Sequence, residues 1–347
     1  FGPRALRESG ILIFNCGRPV RNFCRVKICV DVQSAITQRA GVGRYTRELV
    51  RHLGATAGGD ELRLFYFDFK RRGIPFDTPN AERRAIRWLP GRLAQWTWRA
   101  IDWPPFDLLA GAADLYHFPN FVLPPLRRGR SIVTIHDMSF MRFPEFADER
   151  NLRHLSARIK DTVARAEAII TVSRFSADEI QSLLHVESAK VFPIHLGIED
   201  AFKPQDRDAI RPALAALGLK RPYVLSVGTL EPRKVFPFLI EVFEKLAGYD
   251  GDLVIAGMPG WKYEPILERI RSSPRASRIR WLNFVGDAQL PALYAGADLF
   301  LFTSRYEGFG FPPLEAMACG TPVLSSAHGS LKEVLGSGGM LMETFNS

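Results

Sequence analysis

The sequence predicts an α/β protein made of two doubly wound, parallel-sheet domains that face each other across a cleft. Three observations lead there. Two series of short apolar runs alternate with segments of helical character, the βα rhythm of a parallel sheet. Most of these runs end in polar or glycine-rich residues, as parallel strands do when binding loops follow their C-terminal ends. The length, 347 residues, suits about two domains.

Residues 1–25 show neither periodicity nor a good strand and read as an extension. A buried strand is expected over "VKICVDVQSA" (Val26 to Ala35). "GVGRYTRELVRHL" then reads as a glycine loop opening a helix, with Tyr45, Leu49, Val50 and Leu53 near helical spacing. "LRLFYFDF" is another strand, and a basic, aromatic stretch runs on to about Gly111. "ADLYHFPN", "RSIVTIHD" and "AEAIITVS" complete the first series. A linker is expected near 199–220, dividing domains 26–205 and 206–347. "YVLSVGTLEPRK", "GDLVIAGMPG", "RWLNFVGD", "ADLFLFTSRYEG" and "TPVLSS" supply five strands of the second. No internal repeat is evident.

The chain is 46% hydrophobic and 24% charged, which excludes disordered and fibrous classes. Its longest apolar runs fall short of the roughly 18 residues of a membrane span. "ILIFNC" is too short for the core of a secretory signal. Cys16, Cys24, Cys29 and Cys319 show no CxxC spacing, so neither a zinc site nor a disulfide framework is expected, and a reduced cytoplasmic compartment is. The net charge of +9 favours anionic partners: nucleic acid, lipid headgroups or phosphorylated small molecules.

Four stretches carry candidate chemistry. In "GVGRYTREL", Gly41 and Gly43 let the backbone turn tightly before a helix N-terminus. Thr46 stands where a dinucleotide fingerprint needs its third glycine, so the stretch suits a binding loop or a plain βα turn. In "TIHDMSF", His136 and Asp137 follow a strand and point opposite ways, so they form no simple dyad. His136 suits a substrate hydroxyl, a proton transfer or a structural place. In "SVGTLEPRK", Gly228 makes the exit turn, and Arg233 with Lys234 beyond a strand end suit a diphosphate or a solvated basic turn. In "SRYEGFGFPPLEAMACGTPVL", Gly308 and Gly310 permit sharp turns, Pro312 opens a helix and Gly320 stops it. Glu307 in the loop and Glu315 in the helix border one anion-attracting terminus. Carboxylates do not bind phosphate, so both suit neutral hydroxyls, as on sugars; an acid serving the helix dipole would also explain Glu315, but not Glu307.

"EGFGFPPLEAMACGTPVL" resembles the glutamate-x7-glutamate block of the large retaining glycosyltransferase family of glycogen-synthase and sucrose-synthase relatives, family four. "SVGTLEPRK", "FVGDAQLPALYAGADLFLFTSRYEG" and "ITVSRFSADEI" resemble its other blocks, and the likeness covers roughly residues 26–343. It implies a GT-B fold, two Rossmann-like domains with the nucleotide-sugar donor mostly in the C-terminal one. It implies that Arg233 and Lys234 bind the donor diphosphate beside Gly228. Glu307 would bond the donor sugar, with Gly308, Phe309 and Gly310 forming the loop that offers backbone N–H groups. Glu315 would bond the ribose, and Val285 would lie near the base. Gly43 and His136 would line the acceptor side, His136 touching the transferred sugar. Two departures stand out. Val235 replaces the asparagine of the family's "RKN", implying a lost polar contact, and the last helices, which cross back to the N-terminal domain, are missing, so the chain reads as truncated.

"YHFPNFVLPPL" and "IHDMSFMRFPE" resemble the bacterial mannosyltransferases of surface-polysaccharide assembly. The expected activity is therefore retaining, metal-independent transfer of a sugar, GDP-mannose being the favoured donor, to a saccharide or lipid-linked acceptor. No cofactor is expected, and no DxD pair suited to a metal is seen. A nucleotide-sugar epimerase of the same fold is the alternative. Nucleic-acid binding rests on charge alone, without a basic stripe of interleaved stacking aromatics, and no such partner is expected. "WLPGRLAQWTWRAIDW" suits a helix packed on the N-terminal sheet, or a peripheral contact with a membrane.

Overall fold

The computed structural model describes residues 25–38 and 41–345. The extension expected at 1–25 lies outside them, apart from its last residue. Two sheets are present, and every strand pair in both is parallel.

The N-terminal sheet is built from β1 (Lys27–Asp31), β2 (Glu61–Phe67), β3 (Ala81–Ile86), β4 (Leu115–Phe118), β5 (Arg130–Thr134), β6 (Ala168–Thr171) and β7 (Val191–Pro193), in the order β3-β2-β1-β4-β5-β6-β7. The C-terminal sheet is built from β8 (Tyr223–Val227), β9 (Asp252–Ala256), β10 (Ile279–Asn283), β11 (Leu299–Phe302), β12 (Val323–Ser326) and β13 (Met340–Met342), in the order β10-β9-β8-β11-β12-β13. Both orders reverse direction once, between β1 and β4 and between β8 and β11. Ligands of open α/β sheets bind outside the carboxyl ends of the strands at such a switch point.

The first strand is shorter than the sequence suggests. It ends at Asp31, whose Oδ1 accepts the Gln33 N–H at 2.9 Å. This side-chain turn hands the chain to a short helix, Gln33–Thr37. The basic stretch before Gly111 hides β3, an exposed edge strand reading "AERRAI"; charges on an edge discourage pairing with other chains, and they also erase the apolar alternation. The expected linker contains a helix, Arg207–Ala216, because Asp206 Oδ1 accepts the Asp208 and Ala209 N–H groups at 2.8 and 3.3 Å. The edge strands β7 and β13, each three residues long, also lie beyond the expected set.

Aromatic packing dominates the N-terminal core. Phe106 is fully buried, with its ring 4.5 Å from Phe65 and 4.8 Å from Phe118. Each such ring contributes about 1.5–3 kcal/mol by leaving water. The C-terminal sheet buries Phe300 and Phe302 on one face with Tyr294 and Leu293, and Leu301 on the other with Phe243 and Ile240. The alternation along β11 thereby leaves its end free to carry a loop.

Val235 sits between the turn Pro232–Lys234 and the helix Phe236–Lys245, at φ 49° and ψ 43°. This is the left-handed region, which asparagine tolerates and a β-branched residue does not. Val235→Asn is expected to raise the unfolding free energy by about 1 kcal/mol, and Val235→Ala, which keeps a Cβ, by less. Denaturant midpoints measure both.

Candidate active site at the two switch points

The C-terminal switch point is built by two loops. After β8, Gly228 leads to the turn Pro232–Lys234. After β11, residues 303–310 lead to the helix Phe311–Ala318. The loops are stitched together: the Arg305 N–H donates to the Arg233 carbonyl at 2.9 Å, and Thr303 Oγ1 donates to the Lys234 carbonyl at 2.8 Å. A Cβ on Gly228 would lie 3.5 Å from Lys234 Cε.

These stitches bring Arg233, Lys234 and Glu307 together. Glu307 Oε2 accepts from Arg233 Nη1 at 3.1 Å, and Glu307 Oε1 pairs with Lys234 Nζ. Arg233 Nη2 also donates to Glu231 Oε1 at 2.6 Å, and its Nη1 bonds the Tyr306 carbonyl. Lys234 Nζ stands 4.7 Å from the centre of the Phe302 ring. Burial alone would push the Glu307 carboxyl up, but Lys234 and Arg233 outweigh it and hold it at about 2. Burial alone would likewise lower Arg233, but Glu307 and Glu231 hold it above its ordinary value.

Glu315 lies in the second turn of the adjoining helix. Gly310, at φ 107°, makes the left-handed entry. Thr321 N–H to Ala316 carbonyl and Gly320 N–H to Met317 carbonyl form a Schellman stop around Gly320. Glu315 Oε2 accepts from Tyr294 Oη at 2.7 Å, and Oε1 pairs with Arg44 of the N-terminal domain. Phe309 is buried, and its carbonyl accepts from Ser330 Oγ at 2.9 Å. Val285 is buried past the end of β10, in the core cluster that also holds Ala256 and Leu293.

The N-terminal switch point opens into a cavity of about 430 Å³. Asp31, Gln33 and Asn120 line it from the ends of β1 and β4, and Trp98, Arg99 and Arg158 line it from helices Gly91–Ala100 and Glu149–Arg165. His136 borders this region. Its Nε2–H donates to the Pro119 carbonyl at 2.8 Å, with the neighbouring Phe121 ring 5.7 Å away. Burial pushes the imidazole down, keeping it neutral. The helix Val42–Thr56 packs on it through Tyr45, edge to face at 4.8 Å. Gly43 sits in that helix's first turn, where a Cβ would come within 1.9 Å of the Gln38 carbonyl oxygen.

The carboxyl ends of the two sheets meet. The Met138 N–H donates to Tyr306 Oη at 3.0 Å, and Ser173 Oγ donates to the Gly308 carbonyl at 2.7 Å. A Cβ on Gly308 would lie 2.2 Å from the His136 carbonyl oxygen. The structure thus brings Gly228, Arg233, Lys234 and Glu307 together on the loops after β8 and β11 and sets Gly308 against His136, while Gly43 packs against Gln38 and its neighbour Arg44 reaches Glu315. Val285 makes no polar contact there. Arg44, Glu231 and Tyr294 were given no role although each lies in a quoted stretch, and of the cavity residues Trp98 and Arg99 were singled out only as part of a helix or membrane contact. Among the described residues no group of three or more His, Cys, Asp or Glu is placed to hold a metal. In the Asp-x-Asp triplet 206–208, Asp206 caps a helix and Asp208 pairs with Arg211; in 250–252, Asp250 and Asp252 both meet Arg278.

Two Rossmann-like domains whose switch points face each other make the chain a GT-B protein. Residues 39–202 match the model of "Glycosyltransferase Family 4" and residues 207–346 that of "Glycosyl transferases group 1". The O-antigen chain mannosyltransferase B of Escherichia coli is 31% identical over 87% of this chain and 83% of its own length. The chain belongs to the family-four glycosyltransferases. The sucrose-phosphate synthase of Thermosynechococcus elongatus superposes with a TM-score of 0.70 at 20% identity, covering 93% of this chain and 87% of that one. Anabaena HepE, solved in complex with UDP and glucose, gives 0.67 at 20% identity with the same coverage. Both show the shared fold.

Gly308→Ala should force the loop after β11 off the His136 carbonyl. Turnover is expected to fall on the order of a hundredfold, the scale of an ångström of misplacement, with the circular dichroism spectrum unchanged.

Proposed function

We propose that this glycosyltransferase moves a mannosyl group from GDP-mannose to a saccharide or lipid-linked saccharide hydroxyl, with retention of anomeric configuration, in surface-polysaccharide assembly. The buried cluster of Arg233, Lys234 and Glu307 at the C-terminal switch point carries the reading, and the similarity to the Escherichia coli O-antigen chain enzyme supports the sugar.

In this reading the donor's diphosphate replaces the Glu307 carboxylate as the partner of both cations. Glu307, so released, bonds the sugar hydroxyls, Glu315 bonds the ribose, and Val285 flanks the base. As the anomeric C–O bond breaks, its electron pair passes to the diphosphate oxygen. Arg233, Lys234 and the N–H groups of the Gly308–Phe309–Gly310 loop stabilise that charge, the fixed-dipole contribution that is commonly the largest in catalysis. The acceptor hydroxyl attacks the same face and gives its proton to the leaving phosphate. The chain's own cations supply the charge stabilisation, so the reaction is proposed without a metal or cofactor. His136, neutral and beside Gly308, touches the transferred sugar. The cavity beside Gly43 gives an acceptor a place, which an epimerase would not need.

Trp88, Leu93, Trp96, Ile101, Trp103 and Leu108 are all exposed on one short stretch that also carries Arg92 and Arg99. We place a peripheral contact with an anionic membrane here. Trp98 does not share it: it is buried, with Nε1 donating to the Pro104 carbonyl at 2.7 Å. No helix among the described residues is long and apolar enough to cross a membrane.

Glu307→Ala is expected to lower mannosyl transfer from GDP-mannose on the order of a hundredfold or more, and product NMR should show the donor's anomeric configuration. Undiminished turnover would sink the assignment of Glu307. Separately, wild-type protein should co-sediment with phosphatidylglycerol vesicles, and the Trp96→Ala, Trp103→Ala double variant should remain in the supernatant. Equal sedimentation of the two would remove the membrane contact.

A further inference from the structure

Arg44 stands one residue beyond Gly43, in the first turn of the helix Val42–Thr56, and the chemistry above leaves it unused. Its side chain reaches out of its own domain. Nη1 pairs with Glu315 Oε1, and Nε donates to Glu199 Oε1 at 2.5 Å in the segment joining the domains. The guanidinium lies 5.0 Å from the Phe202 ring centre and 5.7 Å from that of Phe311. Only 16% of the Arg44 side chain and 3% of that of Glu315 are exposed. A solvated surface pair would contribute little; this one is enclosed, clamped between two aromatic rings and shared by two carboxylates.

Glu315 is thus held from both sides, by Tyr294 of its own domain and by Arg44 of the other. An ionised carboxylate has about four acceptor positions, so both contacts leave room for ribose hydroxyls. We propose that Arg44 is a positioning residue that fixes the Glu315 carboxylate for the donor ribose and so ties donor binding to the contact between the two domains. The proposal rests on the reading of Glu315 as the ribose-binding carboxylate.

The surroundings give it a signature. The titratable groups around Glu315 are Arg44, Glu199, Tyr294 and, at the end of its own helix, Cys319. Burial holds the Glu315 carboxyl above its usual range, and Arg44 offsets part of that. Without Arg44, burial and Glu199 would raise it further. The ionised form would then be regained only as pH rises.

Calorimetric titration of the whole chain with GDP and with UDP tests this. Arg44→Met keeps much of the stem and removes the charge. It is expected to weaken binding of the preferred nucleotide on the order of thirtyfold, the low end for truncating one partner of a buried charge pair. The loss should be larger at mildly acidic than at mildly alkaline pH. It should also be largely absent in a Glu315→Gln background, because the two residues act as one unit. Unchanged binding overturns the proposal, as does a pH-independent loss that simply adds to that of Glu315→Gln. If Glu315→Gln binds both nucleotides as wild type does, or wild type binds neither, the ribose reading itself fails and the proposal with it. Should Arg44→Met not fold, Arg44→Lys retains the charge without the planar fork; it is expected to bind more weakly with an unshifted pH profile, and wild-type binding by it overturns the proposal.

Discussion

Everything at the C-terminal switch point depends on the ion pairing of Glu307 with Lys234 and Arg233. Charges this deeply buried are costly to remove from water, and only close pairing with further hydrogen bonds offsets the cost. Two cations face two carboxylates, Glu307 and Glu231, and the Tyr306 carbonyl takes a remaining guanidinium N–H. Those four charges balance one another, with the Asp137 carboxylate also near Arg233. Under the proposed chemistry the diphosphate takes the place of Glu307 against the two cations, and the Glu307 carboxylate turns to the sugar hydroxyls.

That arrangement constrains the surrounding backbone. Arg233 and Glu307 come from neighbouring strands β8 and β11, so the loops after both must stay in register. The Arg305 to Arg233 main-chain bond and the Thr303 hydroxyl provide this. Val235 marks the strain of the same turn: the chain must turn left-handed directly after Lys234 to start the next helix.

The domains touch through side chains that meet main-chain groups or one another: Tyr306 and Ser173 bond main-chain groups across the boundary, and Arg44 pairs with Glu315. Gly308 lies against the His136 carbonyl, and Glu333 accepts the Arg174 and Phe175 N–H groups at 2.8 and 2.9 Å, so the C-terminal domain caps a helix of the N-terminal one. At Gly308 the two main chains themselves come close, so a residue without a Cβ stands there.

The fold class, most strands and the charged and glycine residues at the C-terminal switch point were legible in the sequence, because strand ends, glycine turns and helix starts are local features. Glu307, Gly310, Pro312, Glu315 and Gly320 lie on one short stretch whose geometry is dictated by its own residue types. Of the four edge strands only β10 was legible: β3 is polar where it faces solvent, and β7 and β13 are too short to show a period. Nor were the partners of each charge. That Lys234 meets Glu307, that Glu315 meets Arg44 and Tyr294, and that Trp98 turns inward while Trp96 turns out are decided by packing between segments far apart in the chain. The sequence by itself determined which chemistry stands at each strand end. Only the tertiary structure decided which charges neutralise one another, because pairing in a buried site depends on distance through space, on which local pattern carries no information.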